Sequence, residues 1–136
     1  MKRVLVLVVA FVMMFSAGIH AGATESQIMP RWVTAINASA EINITGTSGS
    51  AIARINAKPG TTKISATMTV YVLEDGEWEY VDSNFDTSTS TYCSFSVSFT
   101  AERGKQYKAE LNAYVTCNGV EENVTATGYA TCPAAN

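Results

Sequence analysis

Three kinds of side chain in this sequence could do chemistry: three cysteines, one crowd of carboxylates and one set of aromatic rings. Cys93, Cys117 and Cys132 could form a disulfide or supply a thiolate. A nucleophilic thiol needs a neighbour that removes its proton, most often histidine. The only histidine is His20, in an N-terminal segment expected to be removed. The mature chain then has no imidazole for a Ser-His or Cys-His pair, and none for a zinc site. Glu74, Asp75, Glu77, Glu79, Asp82 and Asp86 crowd one short stretch. Oxygen-rich loops can hold calcium, but this spacing matches no calcium loop. Strand alternation would also split these carboxylates between two faces. They are expected to form a solvated hairpin that resists aggregation, rather than a metal site or a glycosidase pair. No catalytic residue, cofactor or metal ligand is assigned.

The N-terminus carries the clearest address. Lys2 and Arg3 precede an uncharged run from Val4 to Gly18, and small residues follow at Ala21, Gly22 and Ala23. That is the anatomy of a secretory signal peptide. The apolar run is about 15 residues, short of the roughly 18 that a membrane-spanning helix needs. Cleavage is expected after Ala23, with Ala21 as the alternative. Residues 1–23 are then the signal peptide, 24–30 a flexible N-terminus, 31–132 a single folded domain and 133–136 a tail. Loss of Lys2 and Arg3 leaves seven basic residues against twelve acidic ones, a net charge of −5. Such a surface repels nucleic acid and anionic lipid, so neither is an expected partner. The product is expected to be extracellular and free of the membrane.

The elements that must position these groups are strands. Ile36, Ala38, Ala40, Ile42 and Ile44 alternate with polar residues, as do Ala51, Ala53, Ile55 and Ala57. The same period of two runs through Ile64–Val72, through Cys93–Phe99 and through Tyr107–Cys117. Period two is the strand signal, and no segment sustains a helical period. About seven strands separated by turns predict an all-β fold, a single antiparallel β-sandwich of immunoglobulin-like type.

Two turns set registers. Asn118-Gly119 favours a two-residue loop with both residues at positive φ, so paired residue numbers sum to 237. Leu111 then faces Ala126 and Ala113 faces Val124, while Asn112 faces Thr125. A slip of one residue would destroy that sorting. Asp75-Gly76 sets a second hairpin in which Tyr71 faces Tyr80 and Leu73 faces Trp78. If the neighbouring valines face the core, Trp78, Tyr71 and Tyr80 form an outward aromatic patch, to which the adjoining strand adds Tyr114. Flat aromatic strips bind sugars by stacking, and exposed patches mark contact sites. The competing arrangements are Trp78 folded over an edge of the core, and a bulge that reverses the facing.

Both Cys93 and Cys117 fall on the apolar phase of their strands, at similar heights, so a disulfide between them is expected in an oxidising compartment. The hairpin register carries Cys132 roughly 40 Å from Cys117. Cys132, near a loosely held chain end, is expected to stay unpaired or to join two chains. Asn37, Asn43 and Asn123 each open an N-glycosylation triplet in form, on polar faces of their strands.

Gly104-Lys105-Gln106-Tyr107, followed by alternating Ala109, Leu111, Ala113 and Val115, is similar to the tyrosine corner of immunoglobulin-like and fibronectin-type-III-like sandwiches. The chain departs from antibody domains: its first cysteine falls on the probable fifth strand, and Trp78 follows the central hairpin. The mature chain also resembles a group of small secreted proteins of gut-type Gram-positive bacteria. Pro30-Arg31, the Ile64–Leu73 strand, Trp78 with Val81, and Gly104 with Tyr107 carry that likeness. No biochemical function is assigned to the group, so the resemblance implies a fold and an address.

The functional expectation is a non-enzymatic interaction or adhesion module whose partner is a host or cell-surface protein, or another secreted one. The alternative is a carbohydrate-binding protein that uses the aromatic patch on a glycan. Mass spectrometry of the secreted product is expected to show a chain starting at Thr24 or Gly22. An intact Met1 on a membrane-bound product would exclude the signal peptide.

Overall fold

A computed structural model of the chain describes residues 32–134. The expected signal peptide and flexible N-terminus lie outside the described residues. Seven strands follow one another: β1 (Ala35–Thr45), β2 (Ser48–Ala57), β3 (Thr61–Glu74), β4 (Glu77–Ser88), β5 (Tyr92–Thr100), β6 (Gln106–Cys117) and β7 (Val120–Thr131). They divide into a three-stranded sheet in the order β1-β2-β5 and a four-stranded sheet in the order β4-β3-β6-β7. All pairings are antiparallel. The fold is an all-β, immunoglobulin-like sandwich. Its fourth strand pairs with the third, whereas constant-type immunoglobulin domains place the fourth strand on the opposite sheet.

The alternation read from the sequence packs the space between the sheets. Ala51, Ala53 and Ile55 from β2 meet Ile64, Ala66, Met68 and Val70 from β3, and Ala109, Leu111, Ala113 and Val115 from β6. Hydrophobic burial of such side chains contributes about 25 cal/mol per Å2 of apolar surface removed from water. The small residues permit a close approach. Gly128 on β7 lies against the backbone of Ala40 on β1, and a Cβ at this glycine would overlap the Ala40 carbonyl. Gly49 on β2 plays the same part under the ring of Phe99, its partner on β5.

Both turn registers hold. Asp75 and Gly76 have φ of 51° and 80°, and Asn118 and Gly119 have φ of 50° and 80°. These are the positive values a two-residue hairpin loop with right-handed twist requires. The β6–β7 pairing runs unbroken from Cys117↔Val120 to Gln106↔Thr131.

Two bulges depart from simple alternation. In β1, Ala35 pairs with Ala57 and Asn37 with Asn56, which leaves Ile36 as the extra residue. Ile36, expected in the core, is therefore exposed, and Ala35 turns inward in its place. In β4, Tyr80 pairs with Tyr71 and Asp82 with Val70, which leaves Val81 as the extra residue. A bulge of this kind reverses the facing of the strand beyond it. Phe85 consequently points outward, and Asn84 reaches the other sheet, where its Nδ2 donates to the Ser96 carbonyl at 3.0 Å.

The two ends of the domain are tied by polar contacts. The Tyr107 hydroxyl accepts a hydrogen bond from the Glu102 N–H at 2.7 Å, and the ring packs 5.0 Å from that of Phe99. This is the tyrosine corner expected from the sequence. The same corner holds the C-terminal end of the domain. Cys132 N–H donates to the Lys105 carbonyl, and Gly104 N–H donates to the Cys132 carbonyl, both at 2.9 Å. At the opposite end the Glu122 carboxylate accepts from the Val33 and Thr34 N–H groups and from the Thr34 hydroxyl. Lys58 Nζ adds a hydrogen bond to the Trp32 carbonyl. The Thr34 hydrogen bonds come first in holding the Glu122 carboxyl below the usual glutamate range, with smaller contributions from Val33 and Lys58.

Two consequences are testable. Gly128→Ala forces the β7 backbone away from Ala40, and overpacking of this kind costs about 1–3 kcal/mol. Chemical denaturation is expected to show that loss without a change in the far-ultraviolet spectrum. Because the folded pKa of Glu122 is depressed, its contribution is present above the unfolded value and fades as pH falls through the folded one. The protection of the Val33 and Thr34 amides against hydrogen exchange, taken relative to their intrinsic rates at each pH, is expected to fall on acidification below about pH 4. In Glu122→Gln this pH dependence is expected to disappear.

Candidate functional site

The outward face of the four-stranded sheet carries the aromatic residues singled out in the sequence. Alternation along β3 and the register with its neighbours put Tyr80, Tyr71, Lys108 and Tyr129 in one row across all four strands. Trp78 lies one step along, beside Leu73. From β4 its indole reaches across the face. The Lys108 Nζ stands 4.7 Å from the Trp78 ring and 5.0 Å from the Tyr71 ring. Trp78 and Tyr129 meet with ring centroids 6.0 Å apart and planes tilted by 49°.

Lys108 is the hub of this arrangement. An ammonium over an aromatic face is held by the ring quadrupole, worth about 0.5–2 kcal/mol according to desolvation. The Lys108 side chain is only 14% exposed and also forms an ion pair with Glu110 at 2.9 Å. The lysine thus pins Trp78 and Tyr71 against the sheet. Trp78 is half-buried and does not pack on the core. Both competing arrangements fail for it: it does not fold over the core edge, and the bulge lies beyond it at Val81.

Tyr80 is 62% exposed, Tyr129 58% and Phe85 72%. Tyr80 and Tyr129 flank the pinned pair, whereas Phe85 lies opposite Thr67, four positions along β3 from Tyr71 and roughly 13 Å away. Tyr114, expected in the patch, stands apart from it. Tyr114 is six positions along β6 from Lys108, roughly 20 Å away, beside Ser65 and Asn123. Tyr129 and Lys108 take its place. The register sum of 237 sets these two opposite each other, so the signal for both lies in the Asn118-Gly119 turn.

The carboxylates are sorted differently from the expectation. Glu77 and Glu79 share the inward phase of β4, opposite Glu74 and Val72. The bulge brings Asp82 and Asp86 onto the same phase, opposite Val70 and Ala66. All four acids therefore line one side of β4, and Trp78, Tyr80 and Phe85 line the other. Asp82 and Asp86 accept hydrogen bonds from the N–H of the next residue. Glu74 is held by Lys105, which also pairs with Glu102 at 2.6 Å. Those two hydrogen bonds, Glu102 first, raise the Lys105 pKa above the usual lysine value. Among the described residues no three acidic, cysteine or histidine side chains are grouped to hold a metal ion.

The expected Cys93–Cys117 disulfide does not form: all three cysteines are free thiols. The reason is lateral. β5 lies over β4, whereas β6 sits beyond β3 in the same sheet. Cys117 Sγ is aimed instead at the carbonyls of Lys58 and Pro59, at 3.8 and 3.4 Å. Burial, and then the charge of Asp86, push the Cys93 thiol pKa up, which disfavours the reactive thiolate. Cys132 is neither loose nor available to a second chain. It is fully buried, with Sγ 3.2 Å from the Gly46 carbonyl. Asn37, Asn43 and Asn123 are all exposed.

No family model matches the chain, and no curated protein does. Solved structures with a similar arrangement exist. The sensor domain of the anti-sigma factor RsgI4 of Pseudobacteroides cellulosolvens aligns with a TM-score of 0.44 and 12% identity, over 72% of this chain and 96% of that one. The collagen-binding subdomain of the Enterococcus faecalis surface protein ACE aligns with a TM-score of 0.38 and 10% identity, over 75% and 99% of the two chains.

Proposed function

We propose that the chain is a secreted, non-enzymatic interaction module that meets its partner through the outer face of the β4-β3-β6-β7 sheet. The observation that carries this reading is the aromatic group around Lys108. Large rings left free on a rigid strand face lose little conformational entropy on contact and offer apolar area next to polar tips. The partner class is a protein of a host, of a cell surface or of the secreted environment. Kinship with small secreted proteins of gut-type Gram-positive bacteria belongs to the same proposal, as does release after Ala23. A glycan is the second reading, favoured by one feature: Tyr80 and Tyr129 flank the pinned Trp78 with their own rings exposed, and sugars stack on such rings.

The test uses the mature chain in a surface-protein pull-down and on a glycan array, with Tyr80→Ala and Trp78→Ala alongside. Tyr80→Ala is expected to abolish capture at an unchanged melting temperature, because the ring is exposed. Trp78→Ala is expected to abolish it with a small thermal loss, well below the about 3–5 kcal/mol of a truncated core aromatic. Capture that survives both substitutions would remove this face from the function. Capture of glycans alone would select the second reading.

A further inference from the structure

We propose that the outer edge of β7 pairs antiparallel with β7 of a second copy, which extends the aromatic face with a ring from that copy. The inference deepens the interaction reading above and can fail without it. Four strands end the two sheets: β1 and β5, β4 and β7. Protein edges carry devices that stop another strand from adding. On β4 the Asp82, Asn84 and Asp86 side chains accept from the N–H groups of Ser83, Phe85 and Thr87. On β5 the Ser96 carbonyl accepts from Asn84. β1 carries the bulge at Ile36, and its Ala40 carbonyl lies against Gly128, on the inner side of β7. Among the described residues β7 has none of these. It pairs with β6 over twelve residues without a bulge. The two-residue turn makes Cys117 and Val120 a hydrogen-bonded pair, so every second residue from Val120 to Ala130 faces β6. The backbone N–H and C=O groups of Glu121, Asn123, Thr125, Thr127, Tyr129 and Thr131 therefore point to the open side. Among the described residues no hydrogen bond engages them there.

Charge and symmetry select the occupant. From Asn123 to Thr131 the strand holds no charged residue and no proline, so a copy of itself meets no like charge there. One register engages all six edge residues: paired numbers sum to 252, with the twofold axis at Ala126. Thr125 then faces Thr127 of the copy, Asn123 faces Tyr129, and Glu121 faces Thr131. The contact is isologous, the form that closes a dimer. The two four-stranded sheets become one, with both outer faces on the same side. Within one chain Asn123 lies opposite Tyr114. The same register therefore sets Tyr114 of the copy in line with Tyr129, Lys108, Tyr71 and Tyr80, two strand spacings or about 10 Å beyond Tyr129. Tyr114 is exposed and stands apart from the rings of its own chain. In the dimer it joins the aromatic row of the other.

Sedimentation equilibrium of the mature chain is the test, and a dimer that grows with concentration is expected. A Thr125→Lys, Thr127→Lys double variant crowds four lysines around the twofold axis. With its fold checked by circular dichroism, it is expected to dimerise at least about tenfold more weakly. An Asn123→Cys, Tyr129→Cys double variant reads the register. Opposed hydrogen-bonded residues lie about 5.5 Å apart, within reach of a disulfide, whereas the two positions of one chain are roughly 20 Å apart. After mild oxidation, peptide mapping is expected to join position 123 of one copy to position 129 of the other. A mature chain that stays monomeric, a dimer indifferent to the two lysines, or a dimer without that cross-link would overturn the proposal. Capture of a partner through Tyr80 by a chain that stays monomeric would also overturn it and leave the interaction face standing.

Discussion

Register is the constraint on which this molecule depends. Side chains of a strand alternate between faces, so a shift of one residue exchanges the buried row for the solvated one. The β6–β7 hairpin shows how the choice is enforced. Asn118 and Gly119 both adopt positive φ, which a two-residue loop of matching twist demands. Cys117 is thereby opposite Val120, and every later pair follows. Leu111, Ala113 and Val115 go to the core, and Lys108, Asn112 and Tyr114 go to the outer face of the sheet. The Asp75-Gly76 turn does the same for Tyr71 and Tyr80. The outer aromatic face is thus a by-product of where two turns place their glycines.

The bulge in β4 is the point where this simple rule is broken, and the break shapes the surface. Val81 packs on the core while the strand beyond it changes phase. Rings and acids, which strict alternation would have mixed, end on opposite sides of an exposed edge. Lys108 adds a second organising contact. It holds Trp78 and Tyr71 by their faces, and it keeps its own charge balanced by Glu110. A tryptophan fixed in this way is available to a partner without first having to be ordered.

Close approach of the two sheets leaves the three thiols buried. Alanines and Gly128 fill positions where larger side chains would hold the layers apart. The cysteines sit among these small residues as buried apolar groups, each in its own part of the core. Cys132 is secured by the tyrosine corner and lies against Gly46. The segment that follows β7 is therefore anchored at Cys132 by backbone hydrogen bonds and packing.

The sequence by itself determined the strands, the two tight hairpins with their registers, the tyrosine corner at Tyr107 and the shared outward face of Trp78, Tyr71 and Tyr80. These features follow from local rules: a period of two, a turn dipeptide, a fixed step along a hairpin. Tertiary structure alone decided the rest. The bulges at Ile36 and Val81 depend on what the opposite sheet leaves room for, and no residue in the strand announces them. The separation of Cys93 from Cys117 depends on which strand of one sheet lies over which strand of the other. Trp78 meeting Tyr129 joins the first and last strands of a sheet whose order is set by contacts distant in sequence. Tyr114 shares their face but stands at its other end. Alternation specifies the side of a strand, and it carries no information about height or lateral place between strands that no short turn connects.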